Sequence, residues 1–316
     1  VRIARAIALR LLFGALSLLF ISFVTFIAGE FSGVDPAVLQ AGEKASQADV
    51  LRIRHEMGLD RPWPIRYVES VDHALHGDFG NSYTGTKEPV KVIIARCLPI
   101  TIEVAFLASI LASSIGLLLG TIAGIYRSRG PDRAVLTIST LGVTIPNFVL
   151  APILIYIYGQ KLNILPTNWR LDRPEGDLPY LILPVIVLAA RPCALITRLT
   201  RASMIDTLQQ EFIRTAIAKG VPRFKLYTKH ALRNAILPIA TAIGTNFGIL
   251  LTGSFVVERA FTIPGIGSRT IEAITAVDMP VIQGCVLVTG SMFIFVNMLV
   301  DILLPILDPR IRESQV

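Results

Sequence analysis

Six predominantly apolar stretches, each long enough to cross a lipid bilayer as a helix, dominate this chain: roughly 9–28, 100–126, 134–158, 181–199, 235–257 and 281–307. A hydrocarbon core about 30 Å thick is crossed by about 20 helical residues. Inside it every backbone N–H and C=O must be bonded within the protein, so separate apolar runs of this length are read as helices. Composition agrees. Of 316 residues, 53% are hydrophobic and 17% charged, whereas charged residues make up roughly a quarter of a soluble domain. The expected fold is all-α, a polytopic membrane protein with six transmembrane helices.

The net charge of +7 would suit a nucleic-acid binder if it covered a soluble face. Here it lies in loops beside apolar runs. Arg2, Arg5 and Arg10 surround the start of the first run, and Arg127, Arg129 and Arg133 crowd the short second loop. Eight basic residues stand against Asp206 and Glu211 in the stretch 198–233. With six spans all three clusters fall on one side, the cytoplasmic one by the positive-inside rule, and both termini join them. No nucleic-acid partner is expected; the lipid bilayer is. The first run is read as a retained signal anchor, since no small-residue cleavage site follows it.

The chain then divides into a first segment with its helix (1–29), an extracytoplasmic segment (30–99), a five-helix core (100–307) holding the cytoplasmic loop 200–234, and a cytoplasmic tail (308–316). The extracytoplasmic segment has mixed charge and the runs GLDRPWP and GDFGNSYTG. Its patterning predicts short helices near 47–57 and 64–76.

Small residues stand at every fourth position of the second span: Ala108, Ala112, Gly116, Gly120 and Gly124. Glycine within a helix costs about 1 kcal/mol relative to alanine, so the series points to close helix contact. Pro146 and Pro152 should bend the third span. Arg191, beside Pro192 in the fourth span, must face protein or water. It is either a group lining a solute path that attracts a carboxylate, or a structural arginine bonded to carbonyls that Pro192 frees. Arg191 and Asn246 are the candidates for a translocation path. Asn297 and Asp301, four apart in the last span, are read as a structural polar contact.

Catalytic machinery is missing. There is no GxxxxGK[ST] loop and no GxSxG elbow, and HExxH fails because Leu59 occupies the second histidine position. Cys97, Cys193 and Cys285 are far apart and are read as buried small hydrophobes; no metal set emerges. The chain is therefore expected not to be an enzyme, to hold no cofactor and to use no ATP itself. A passive channel, an ion-coupled carrier, an ATP-driven permease and a silent assembly subunit all remain open at this point.

What separates them is the polar stretch 198–238. An amphipathic run is followed by RTAIAKG and a turn at Gly220, Val221 and Pro222, and then by a second basic run. Glycine closely followed by proline ends one helix and redirects the chain. Two short helices meeting there would form a knob along the membrane.

RTAIAKG with the downstream KHALRNAILP resembles the EAA loop of ATP-binding cassette importer permeases, in the dipeptide, oligopeptide and nickel branch. Arg214 stands where the generic motif has glutamate and Thr215 where it has alanine, both as in this branch. GLDRPWPIRY, GDFGNSY, RLTRASM, VVERAFTIPGIGS and the terminal DPRIR resemble the same branch in the same order, across nearly the whole chain. The resemblance implies an EAA-type coupling helix seated on an ATPase subunit, with Arg214, Thr215, Ala216, Lys219, Gly220, Val221 and Pro222 as its centre. Ala216 and Gly220, four apart, are expected to share a face that leaves room for the partner's side chains.

It also implies two ATPase subunits that use the ATP, a second permease of the same branch in preference to a second copy, and an extracytoplasmic solute-binding protein. That protein would touch the external segment or the PGIG loop, whose glycines could equally be turn residues. The location implied is the bacterial cytoplasmic membrane. The cargo implied is a peptide, or a related solute such as glutathione or a nickel chelate.

Overall fold

A computed structural model describes residues 2–42, 45–85, 87–170, 178–253 and 255–307. The described residues are overwhelmingly helical, with one isolated bridge, Asn81 to Pro89. Among the described residues five helices are long and apolar enough to cross a membrane, and a sharply bent pair makes a sixth candidate. The chain forms two compact units, 1–101 with 264–294, and 102–263 with 295–316.

In the first unit, α1 (Arg2–Glu30) is followed by α2 (Pro36–Ala41), α3 (Gln47–Glu56) and α4 (Trp63–Leu75), so both short helices expected in 30–99 are present. The GLDRPWPIRY run has a clear physical role. Pro62 and Pro64 start α4, which needs no N–H donors in its first turn. α4 then lays Trp63 and Tyr67 against Phe23 and Phe26 of α1. The Tyr67 hydroxyl donates to the Leu19 carbonyl at 3.1 Å. Aromatic side chains with one polar tip suit a membrane interface.

α5 (Val90–Ile125) starts earlier than its apolar run suggested. Its first turns pack Val90, Ile93, Ile94 and Cys97 against Ile266 and Ala273 of α13 (Ile266–Thr275) and Val281 and Cys285 of α14 (Met279–Leu307). Cys97 and Cys285 are buried and free, and Cys193 is half-buried. Gly265 of PGIG caps α13 in an extended conformation.

Asp278, 1% exposed, holds the GDFGNSYTG loop. It accepts from the Ser82 hydroxyl, from the Tyr83 N–H at 3.1 Å and from the Thr84 hydroxyl at 2.9 Å. Gly77 and Gly80 take positive φ, which lets the loop fold back to it. The Tyr83 phenol is pushed up to about 12, first by burial and second by the Asp278 carboxylate. An unfolded phenol titrates near 10. The folded loop thus keeps a proton that the unfolded chain has released, and stability from this group, complete below about pH 10, is lost as pH rises through about 12. An ultraviolet phenolate titration of the protein minus that of Tyr83→Phe should show the missing step near 12; a step near 10 would contradict it.

In the second unit, Gly116, Gly120 and Gly124 of α5 lie on α8 (Leu178–Leu208). A Cβ at Gly120 would stand 2.5 Å from the Thr197 carbonyl oxygen, and one at Gly124 would stand 2.6 Å from Met204 Cβ. The three glycines of the small-residue series form a close-contact seam with one helix. The third span departs from expectation more strongly. α6 (Gly130–Thr144) and α7 (Asn147–Leu154), which continues as π-helix Ile155–Lys161, meet at 101°. Pro146 lacks an N–H and is extended, so it breaks the helix where a bend was expected.

α8 also runs beyond its apolar stretch to Leu208, past the cytoplasmic boundary read from polarity. The short α9 (Glu211–Ala218) follows. Then α10 (Arg223–Lys225), a π-helical turn Leu226–Leu232 and α11 (Arg233–Gly253) form one long candidate span, 223–252. α12 (Phe255–Ala260) completes the unit before Ile263.

Candidate coupling surface

α9 is the knob, and its C-terminus explains the sequence around it. The Gly220 N–H bonds the Ile217 carbonyl at 2.9 Å and the Val221 N–H bonds the Ala216 carbonyl at 3.2 Å. This is the paired pattern of a Schellman cap, with glycine in the left-handed position. Gly220 has φ +73°, and nothing lies within 4 Å of a Cβ built there. The glycine is needed for its backbone and not to make room. Pro222 then sets φ for the entry into α10.

Two expectations need correction. The second arm of the knob is not a separate short helix, because Arg223 onward is the beginning of a long span. Nor does Ala216 share an open face with Gly220. Ala216 and Ile213, three apart, are the buried residues of α9, since this stripe anchors the helix to its own chain. Arg214, Thr215, Lys219, Gly220 and Pro222 are exposed, with Val221 half-buried. Arg214 is tied to Glu211 at 2.7 Å, one turn back.

The outward surface is more apolar than the motif suggested. Phe212 is exposed, Ile217 is 58% exposed and Phe224 is 81% exposed. Side chains of this size at the tip of a basic excursion are typical anchors of a protein interface. The available signal was an aromatic residue two places after Pro222 in a polar run.

Asp132, in the first turn of α6, is 2% exposed. It accepts from Arg201 Nε at 2.5 Å and Nη2 at 2.8 Å, and from the Ser128 N–H at 2.7 Å. Arg201 belongs to RLTRASM, so this motif ties the last turns of α8 to the loop before α6. The fork-to-carboxylate geometry fixes orientation as well as distance.

Of the path candidates, Arg191 is exposed in mid-α8 and forms no hydrogen bond or ion pair among the described residues. The proposed bond to carbonyls freed by Pro192 is not made. Asn246 is half-buried, and its amide donates to the Ala242 carbonyl at 2.7 Å within its own helix. The two therefore differ, one open and one engaged locally. Asn297 and Asp301 lie on α14, but the Asp301 side chain and the DPRIR tail are outside the described residues. No group of three His, Cys, Asp or Glu able to hold a metal occurs among the described residues.

Residues 116–313 match the family described as binding-protein-dependent transport system inner membrane component. Residues 3–105 match its N-terminal companion. Curated relatives cover nearly the whole length. One of Brucella abortus, named for a peptide transport system permease, is 38% identical over 298 residues, 93% of this chain and 95% of its own. The probable peptide ABC transporter permease protein y4tP of Sinorhizobium fredii is 38% identical over 283 residues, 88% of this chain and 90% of its own. The glutathione transport system permease protein GsiC of Salmonella choleraesuis is 35% identical over 300 residues, 94% of this chain and 95% of its own.

Proposed function

Because the chain belongs to the binding-protein-dependent transport system inner membrane component family, and so is a multi-pass permease of an ATP-driven importer, we propose that it carries peptides or glutathione and receives the ATPase stroke through α9. A permease of this kind works with ATPase and binding-protein partners. The cargo class is supported by the relatives named for peptide and glutathione transport.

The observation that carries the coupling assignment is that Phe212 and Ile217 of α9 and Phe224, just past its Schellman-capped turn, are all exposed. A rigid cap next to two long helices passes a push on the tip into α8 and α11 without bending. In this reading Arg214, Thr215, Lys219, Gly220, Val221 and Pro222 line the contact, and Ala216 seats α9 from behind. α9 and both termini lie in the cytoplasm of a bacterial inner membrane, a related second permease completes the pair, and ATP stays with the ATPase subunits.

The test is Phe224→Asp. Burying an unpaired carboxylate at an interface is costly, so association with the ATPase subunits should weaken by at least about tenfold. Co-purification of the detergent-solubilised complex measures it. Full ATPase recovery with both Phe224→Asp and Ile217→Asp would remove α9 from the interface.

A further inference from the structure

We infer that Arg191 and Arg198 form a two-step cationic track along α8 that selects solutes carrying a carboxylate; this rests on the importer reading above. From Pro192 on, α8 buries one face, with Ile196, Thr197, Thr200 and Met204. The opposite face is open there, and Leu195 is exposed on it; Ile182 and Ile186, exposed earlier in the helix, lie on another side. Arg191 and Arg198 stand on that open face, and both are exposed. Seven residues separate them, two turns of helix or about 10 Å of rise. Neither has a hydrogen-bond or ion-pair partner among the described residues. The positions one turn to either side of Arg191 are Val187, Leu188, Ala194 and Leu195, so the helix offers no acid to neutralise it.

Lipid is a poor neighbour for such a face. An arginine at the middle of a membrane helix costs about 2.5 to 3.5 kcal/mol on insertion scales. The chain also has a face suited to lipid, and it looks different: α1 exposes Leu11, Leu12, Phe13, Leu16 and Phe20. α11, which packs along α8 in the same unit, exposes Thr241 and Thr245, with Ile249 exposed one turn further on. An open face bearing guanidinium groups, beside a helix with open hydroxyls, belongs on water, and in an importer the water at this depth is the solute path.

The chemistry of the track follows from the side chain. A guanidinium presents a planar fork of donors that meets a carboxylate with two parallel hydrogen bonds. A single carboxylate is far smaller than the rise of about 10 Å between the two arginines. A carboxylate would therefore leave Arg191 before it reaches Arg198. Two single-point holds favour an anionic end without trapping it. Free peptides, including glutathione, fit this selection, and C-terminally amidated peptides do not.

The experiment uses the complete importer in proteoliposomes: permease pair, ATPase subunits and binding protein. Probes are glutathione, trialanine and trialanine amide. Each rate for Arg191→Gln and Arg191→Lys is divided by the wild-type rate with the same probe, which cancels selection by the binding protein. Arg191→Gln should raise KM for a free-acid probe about tenfold, leave the amide's KM in place and leave complex yield unchanged, whereas Arg191→Lys should retain most of the affinity. If the wild type carries no amide, the lysine rescue alone decides: recovery with Lys but not Gln supports the track. Equal change for acid and amide, no change for either, or no rescue by lysine overturns it. Absence of wild-type uptake of all three probes with ATP present would overturn the peptide reading itself, and the inference with it.

Discussion

Gly220→Val should lower ATP-driven uptake by more than about tenfold while the chain still inserts and pairs. A left-handed conformation costs about 1 to 2 kcal/mol for a residue with a Cβ, and more for a β-branched one. Gly220 sits at φ +73° with open space around it, so the substitution creates no clash in the core. The strain falls on the Schellman cap, whose two hydrogen bonds from Gly220 and Val221 set the angle between α9 and α10. A lever with a loose tip absorbs the stroke. Gly220→Asn distinguishes this from simple loss of glycine, because asparagine tolerates the left-handed region. Proteoliposome uptake with parallel ATP hydrolysis is the check. The valine variant should hydrolyse ATP without matching transport, and the asparagine variant should stay close to wild type. Wild-type uptake by the valine variant would mean that the turn geometry plays no part in coupling.

The second large effect is expected at the pair Asp132 and Arg201, which ties α8 to the start of α6. Asp132→Ala leaves the Arg201 guanidinium with no carboxylate. Breaking a buried pair costs about 3 to 5 kcal/mol, and the partial exposure of Arg201, 24%, places this one near 3. Arg201→Ala is the worse-matched removal, since it strands a carboxylate that is 2% exposed, although the Ser128 N–H still serves it. A double-mutant cycle with both residues changed to alanine, read by thermal unfolding in detergent, should give a coupling energy of at least about 2 kcal/mol. Additive losses would show that the two residues act independently.

Much of this architecture is legible in the chain because the spans are long and apolar, which no tertiary contact has to decide. The short helices α3 and α4 were readable for a similar reason. Pro62 and Pro64 open one, and the periodic residues that follow fix its length. The seam Gly116, Gly120 and Gly124 could be recognised as a close contact, but α8 could not be named as the neighbour, since spacing along one helix carries no address. Pro146 announced a bend; its size, 101°, depends on the packing of both arms.

At the candidate site the Gly220 turn was readable, because few residues accept its backbone angles. The inward face of α9 was not. Phe212, Ile213, Ala216 and Ile217 are all apolar, and only packing decides that Ile213 and Ala216 go in while Phe212 and Ile217 stay out. Asp132 and Arg201, 69 positions apart, carry no local signature of their pairing. Arg191 could be seen to need water or a partner. That it has no partner among the described residues required the fold.

The central claim is that this chain moves solute only when an ATPase drives it through the cytoplasmic knob. Uptake of labelled trialanine and glutathione into proteoliposomes, with the ATPase subunits present or left out, tests this most directly. The account predicts uptake that requires the ATPase subunits, hydrolysable ATP and the binding protein together; equal uptake by vesicles lacking the ATPase subunits would make the protein a channel or carrier and contradict it.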